Sequence, residues 1–339
     1  MSLSSKSSAA DSDHMLRTKI RPLRGKSTLK ALAIVGVDLS LYLASVSLAV
    51  ARANSWQGIV FGILAGVGIG TLFLVGHDAC HGSFTSSSIL NAYIGRIVFL
   101  PSLTPFSSWE AEHNHVHHQY TNLKTRDYVW APFSKAEFDR LPGWRRTLEK
   151  VYRSVPGVGL YYGVEIWWRH LFFPKGAAER AHFADSILCA SVAACGIAAV
   201  SVGYGWKALV TGIAIPFVVW NWLMGWAVFE HHTHPSVPWF NDETKWRAER
   251  TQSKCTAHVV LPRALDVLFH EIFHHTAHHL DVTIPLYRLR LAQSAVESAS
   301  GALIVYRWTP RKFLQHLRHC RLYDFEKQRW LDFDGVPSA

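Results

Sequence analysis

Four stretches of this chain are apolar for long enough to cross a bilayer, which takes about 20 residues in a helix. They are 31–51, interrupted only by the charge of Asp38, and 58–76, 187–206 and 208–229, which carry no charge. The links 52–57 and Lys207 are short, so the pattern predicts two helical hairpins. Two weaker apolar runs, 89–105 with Arg96 and 155–168 with several glycines and aromatics, predict interfacial or half-buried helices rather than spans. After Phe229 the chain turns polar, with breaks at Pro235, Pro238, Pro262, Pro285 and Pro310. The expected architecture is an all-α integral membrane protein. Four transmembrane helices form two hairpins beneath a cytoplasmic helical cap, and residues 28–339 make one domain. Residues 1–27, rich in Ser, Lys and Arg and without an apolar signal core, predict a flexible basic cytoplasmic tail.

The net charge of +10 changes this picture by its distribution. Residues 1–30 hold 7 Lys and Arg, residues 106–183 hold 11 and residues 231–339 hold 14, leaving only Arg52, Arg96 and Lys207 elsewhere. Basic blocks separated by pairs of apolar spans follow the positive-inside rule. They argue against nucleic acid and for a multi-pass protein with both termini cytoplasmic, expected in a bacterial inner membrane. The basic face is expected to meet anionic lipid head groups and an acidic electron-transfer partner. Fourteen tryptophans suit membrane interfaces. Five scattered cysteines without CxxC spacing predict reduced thiols and no disulfide framework.

Histidine supplies the chemistry. His77 and His81 follow the second apolar run, and His231, His232 and His234 follow the fourth. His113, His115, His117 and His118 lie between them, and His270, His274, His275, His278 and His279 come later. Residues three or four apart share a helix face, so each cluster can present two or three imidazoles in one direction. That many neutral nitrogens exceed one metal's needs and suggest two. Calcium and magnesium prefer oxygen donors, and a structural zinc site needs only four ligands. A nitrogen-rich site beside lipid suits iron that activates dioxygen. Asp78, Glu110, Glu112, Asp127, Glu230, Glu271 and Asp281 are candidates to fix the rings from outside. His14, His170, His182, His316 and His319 stand alone and read as structural.

The segments GHDACHGSF (76–84), HHQYTN (117–122) with DYVWAP (127–132), EHHTHPSVPWF (230–240) and HHTAHHLDVTIPLYRL (274–289) resemble the membrane fatty acid desaturases, the integral-membrane non-haem di-iron type. The HTHPSVPWF and IPLYRL stretches look most like the acyl-lipid omega-6 (delta-12) branch. The resemblance implies metal ligands at His77 and His81, at His117 and His118, and at His275, His278 and His279, with a further ligand at His234 or His232. The second box departs from the family's HxxHH. Three residues before His117 stands Asn114, so either His113 acts from one residue further away or His115 takes its place. Trp109, four before His113, favours His113. The implied reaction uses two irons, dioxygen and two electrons from a separate ferredoxin- or cytochrome-type donor. It removes two hydrogens from adjacent methylenes of a lipid or acyl-thioester substrate and leaves a cis double bond. The alternative within the same superfamily is a hydroxylase or ketolase acting on carotenoid, alkane or sterol. A metal transporter would place ionisable groups along a path through its spans, and these spans hold only Asp38.

Overall fold

The computed structural model describes residues 9–172 and 179–338, with side chains over 11–172 and 183–338. His182 lies outside the described side chains. The chain begins with α1 (Ala9–Ile20), then α2 (Thr28–Ala51), α3 (Trp56–Cys80) and α4 (Ser88–Phe99). α5 (Phe106–Glu112) runs directly into a π-helical turn at His113–His117. Three short helices follow: α6 (Lys135–Arg140), α7 (Gly143–Tyr152) and α8 (Gly157–Tyr161), the last continuing as a π-helix over Tyr162–Phe172. α9 (Glu179–Tyr204), α10 (Trp206–Leu209) and α11 (Ile215–His232) come next, with a π turn at Val210–Ala214 between the last two. The C-terminal region carries α12 (Glu243–Glu249), α13 (Arg263–Leu268), α14 (His275–Leu280), α15 (Leu289–Glu297) and α16 (Pro310–His319).

Among the described residues, four helices are long and apolar enough to cross a membrane: Thr28–Ala51, Trp56–Cys80, Phe183–Tyr204 and Trp206–His232. Their ends differ from the apolar runs in informative ways. α3 continues four residues past Gly76, and α11 three past Phe229, because the polar residues added there face the protein interior. The third span stops at Tyr204, not near Lys207. Gly205 adopts φ +81°, which a residue without a Cβ takes readily. The run near 89–105 is a bent pair, Ser88–Ser102 and Phe106–His117 meeting at 101°.

Two expectations need correction. The fold is mostly rather than wholly helical. β1 (Ala257–Val260) pairs in parallel with β2 (Ile304–Arg307), and β3 (Leu322–Asp324) antiparallel with β4 (Arg329–Leu331). Their β-branched and aromatic residues suit a half-buried pleat. Nor is the N-terminal segment a free tail from residue 9 onward. α1 buries Asp13, Leu16 and Ile20 on one stripe. Burial of each aliphatic side chain contributes roughly 1.5–3 kcal/mol, enough to dock a helix this short.

α3 and α11 form the interior of the helical layer. Half or more of each is buried, whereas few residues of α2 and of the described part of α9 are, as suits contact with lipid. Close approach depends on small residues. A Cβ on Gly66 would sit 2.6 Å from Val219 Cβ, and one on Gly225 2.1 Å from the Val158 carbonyl oxygen. Backbone cannot yield there as a side-chain tip can. Gly225→Ala is therefore expected to cost about 1–3 kcal/mol, read as a lowered melting temperature in detergent. An unchanged melting temperature would contradict this packing.

Candidate metal centre

The last turn of α3 carries His77, and His81 caps it. Four residues apart on one face, their rings lie 4.8 Å apart between centroids. Asp78, on the opposite side of the turn, accepts from Ser83 Oγ at 2.7 Å and from the Leu286 N–H at 3.2 Å. It thereby ties the first histidine pair to the segment after α14.

The second cluster owes its geometry to the π turn. The His118 N–H donates to the His113 carbonyl at 3.0 Å, an i+5 bond that absorbs one extra residue. His113 Nε2 consequently lies 2.8 Å from His77 Nε2 and 3.0 Å from His118 Nε2. Trp109 stacks on the His113 ring at 4.6 Å. His115 is exposed, on the far side of the turn. The longer spacing of this box thus brings His113 inward and leaves His115 outside.

α14 and the end of α11 complete the cluster. His278 Nε2 lies 3.3 Å from His118 Nε2, and His232 Nε2 lies 3.1 Å from His275 Nε2. Of the two candidates His232 and His234, the structure brings His232 to the cluster. α11 ends at His232, and His234 turns away to stack on Tyr306 and meet His316 edge-on, each 5.1 Å distant. His231, not singled out from sequence, stacks on His275 at 3.8 Å.

Two groups result. His77, His81, His113, His118 and His278 bring ring nitrogens within 4.8 Å of one another, and so do His117, His232 and His279. The groups adjoin, since the His118 and His279 rings are 4.2 Å apart. A single N–H cannot serve His113 Nε2, His77 Nε2 and His118 Nε2 together. Both ring nitrogens of His81, and His279 Nε2, are buried without a hydrogen-bond partner. Burial holds His81, His118, His275, His278 and His279 well below the usual histidine range, with neighbouring imidazoles adding to the effect. These rings are neutral near pH 7 and offer lone pairs to one another's positions. Such a donor set fits transition-metal cations and nothing harder.

Outer contacts set the tautomers. His117 Nδ1 donates to Asp127 Oδ1 at 3.1 Å, and His279 Nδ1 to Gln252 Oε1 at 3.3 Å. In both rings Nε2 is left to face the centre. Asp127 also accepts from the Asn122 and Val129 N–H groups. Gln252 carries no sequence signal that marks it out. Glu230 serves the C-terminal region instead: fully buried, it accepts from Tyr306, Trp308 and His316. His270 pairs with Asp38 at 2.6 Å, and His274 with Asp266 at 3.3 Å.

Beside the imidazoles lies a slot of about 60 Å³, lined by Phe73, Trp109, Tyr162, Ile166, Met224 and Ala227 together with His77, His113, His117, His232 and His275. An apolar slot against a nitrogen wall accepts a hydrocarbon segment and offers it no hydrogen bond.

A family model described as fatty acid desaturase matches residues 54–310. An sn-1 oleoyl-lipid 12-desaturase of Picosynechococcus sp. is 30% identical over 272 residues, 78% of this chain and 76% of that protein. The protein of the same name from Synechocystis sp. is 32% identical over 269 residues, 78% and 75% of the two chains. A chloroplastic omega-6 fatty acid desaturase of Arabidopsis thaliana is 28% identical over 322 residues, covering 91% and 68%.

Lowered histidine pKa values carry a signed consequence for the metal-free protein. Below the ordinary histidine pKa, about 6.5, the unfolded chain takes up protons that the folded one refuses. Stability is therefore present above that pH and lost as pH falls, by up to about 1.4 kcal/mol per pH unit for each such histidine. The melting temperature of the metal-free protein is expected to drop between pH 7 and pH 5, and less steeply in His278→Gln. A flat or rising profile would contradict the burial of neutral rings.

Proposed function

The chain belongs to the fatty acid desaturase family, and we propose that it acts on oleoyl chains of membrane lipid, placing a second cis double bond at carbon 12 through a histidine-held di-iron centre. It is a membrane oxidoreductase that desaturates acyl chains. The observation that carries the finer reading is the convergence of two imidazole groups beside an apolar slot. The names of its relatives, sn-1 oleoyl-lipid 12-desaturase and omega-6 fatty acid desaturase, support the regiochemistry.

In this reading one iron is held by His77, His81, His113, His118 and His278, and the other by His117, His232 and His279, with His275 beside them. His115 and His234 hold neither. Bound there, the iron pair supplies activation of dioxygen and removal of two hydrogen atoms from an unactivated methylene pair. Dioxygen takes four electrons in all, two from the acyl chain and two from an external donor of ferredoxin or cytochrome type, and leaves as two waters. The protein's own part is positional. Phe73, Ile166, Met224 and Ala227 hold the methylenes against the imidazole wall and exclude water, and Asp127 and Gln252 keep Nε2 of His117 and His279 aimed inward. The spans form two hairpins under a cap on the cytoplasmic side of a bacterial inner membrane, with the termini on that side too. This places the centre where a soluble donor can reach it.

Expression in a host whose lipids carry oleoyl but no dienoic chains tests the reading. Gas chromatography of methyl esters is expected to show a new diene with its added double bond at carbon 12. Hydroxylated or keto products, or a double bond elsewhere, would overturn it. His232→Ala is expected to lower bound iron and cut activity by more than the roughly 10–100-fold typical of outer-shell losses, whereas His234→Ala should keep its iron. The reverse pattern would remove the ligand assignment.

A further inference from the structure

The segment ahead of the first span touches two histidine-bearing pieces of the centre and a turn that reaches the histidines through Gln252. Asp13, buried on α1, accepts from the Gln252 N–H at 2.6 Å through Oδ2. Its Oδ1 accepts from Ser253 Oγ at 2.7 Å and from the Ser253 N–H at 3.4 Å. Its carboxylate thereby caps the turn over 251–255. Gln252 in turn donates through Nε2 to the His118 carbonyl at 2.8 Å and accepts through Oε1 from His279 Nδ1. One side chain so joins a member of each imidazole group. Further along, Arg24 pairs with Asp281 at 2.6 Å, two residues after His279, and Lys26 Nζ donates to the Gly82 carbonyl at 2.6 Å, next to His81. Leu16 and Ile20 are fully buried, and α1 packs against α14 and α15.

These contacts form a strap. It lies outside the residues matched by the family model, which begin at 54. Its polar contacts fall on the 251–255 turn, whose Gln252 reaches His118 and His279, on Asp281 just after α14, beside His81 at Gly82, and on the Tyr287 hydroxyl. Arg24 and Lys26 are exposed, so their ion pair and hydrogen bond are worth little on their own. Asp13 differs. It is buried, charged and bonded to two backbone N–H groups, and charge-assisted bonds of that kind are the strong ones.

We propose that Asp13 is a positioning residue of the metal centre, holding Gln252 so that its amide orients the His279 ring and the His118 backbone together. The inference rests on the ligand reading given above. Loss of Asp13 frees the 251–255 turn, lets Gln252 rotate, and leaves His279 Nδ1 without its acceptor. Nε2 then no longer faces the centre in a fixed tautomer, and the metal it holds is released more readily.

Chelator-induced iron release from the full-length protein in detergent tests this, followed by absorbance of the ferrous complex alongside melting temperature. Asp13→Ala and Gln252→Ala are each expected to speed release by roughly 10–100-fold, the range for outer-shell partners, and the double variant no more than Gln252→Ala alone. Asp13→Asn, which keeps a carbonyl oxygen for the Gln252 N–H but loses the charge and the second acceptor, should fall between wild type and Asp13→Ala. Leu16→Ala loosens α1 without touching Gln252, and should lower the melting temperature while leaving release unchanged. Release from Asp13→Ala at the wild-type rate would overturn the proposal. So would equal acceleration in Leu16→Ala at a matched loss of melting temperature. Wild-type protein that binds no iron would instead overturn the ligand reading, and the inference with it.

Discussion

Packing neutral imidazoles against one another in a dry interior is unfavourable unless something accepts their lone pairs. A buried polar atom without a partner costs about 1–3 kcal/mol, and this fold gathers many such atoms in one place. The arrangement persists because the surrounding elements are fixed by other means. α3 and α11 are locked together by glycine contacts too close for any side chain. α14 is held by the strap and by Gln293, which accepts from the Ala277 N–H at 2.9 Å. The rings are thus held in place by scaffold contacts far stronger than their own mutual contacts, which is the condition for a preorganised cation site.

The same constraint explains where the helices end. Two spans run beyond their apolar stretches so that a final polar turn projects His77 from one and His231 with His232 from the other. The slot lies between those turns, so a chain lying in it meets methylene-sized apolar walls on one side and nitrogen on the other. Chemistry on an unactivated C–H bond needs no carboxylate near the carbon, and none of the residues that line the slot supplies one. The Asp127 carboxylate, bonded to His117 Nδ1, serves to orient that ring.

The spans and the four histidine clusters were legible because their signals are periodic or compositional. Apolar length marks a span, and three- or four-residue spacing marks a shared face. What the pattern does not carry is backbone detail. A π turn is invisible to a 3.6-residue template, so His113 and His115 stayed open until the i+5 bond separated them. The choice between His232 and His234 depends on where α11 stops, and no cap residue marks that point. The short strands, at most four residues long, lie in the polar region after Phe229 that was expected to be a helical cap, and are too short to show a period of two. α1 was missed for a different reason. Its buried stripe of Asp13, Leu16 and Ile20 is only three residues long and is diluted by serine and lysine. Gln252 bears no motif, and only its contacts reveal it.

The most direct test of the account is the position of the metal itself. Iron-edge anomalous scattering from crystals of the iron-loaded protein is expected to show two peaks. One should lie within bonding distance of Nε2 or Nδ1 of His77, His81, His113, His118 and His278, the other of His117, His232 and His279. A single peak, or density at His115 or between His234 and His316, would contradict the arrangement on which the oxidative chemistry depends.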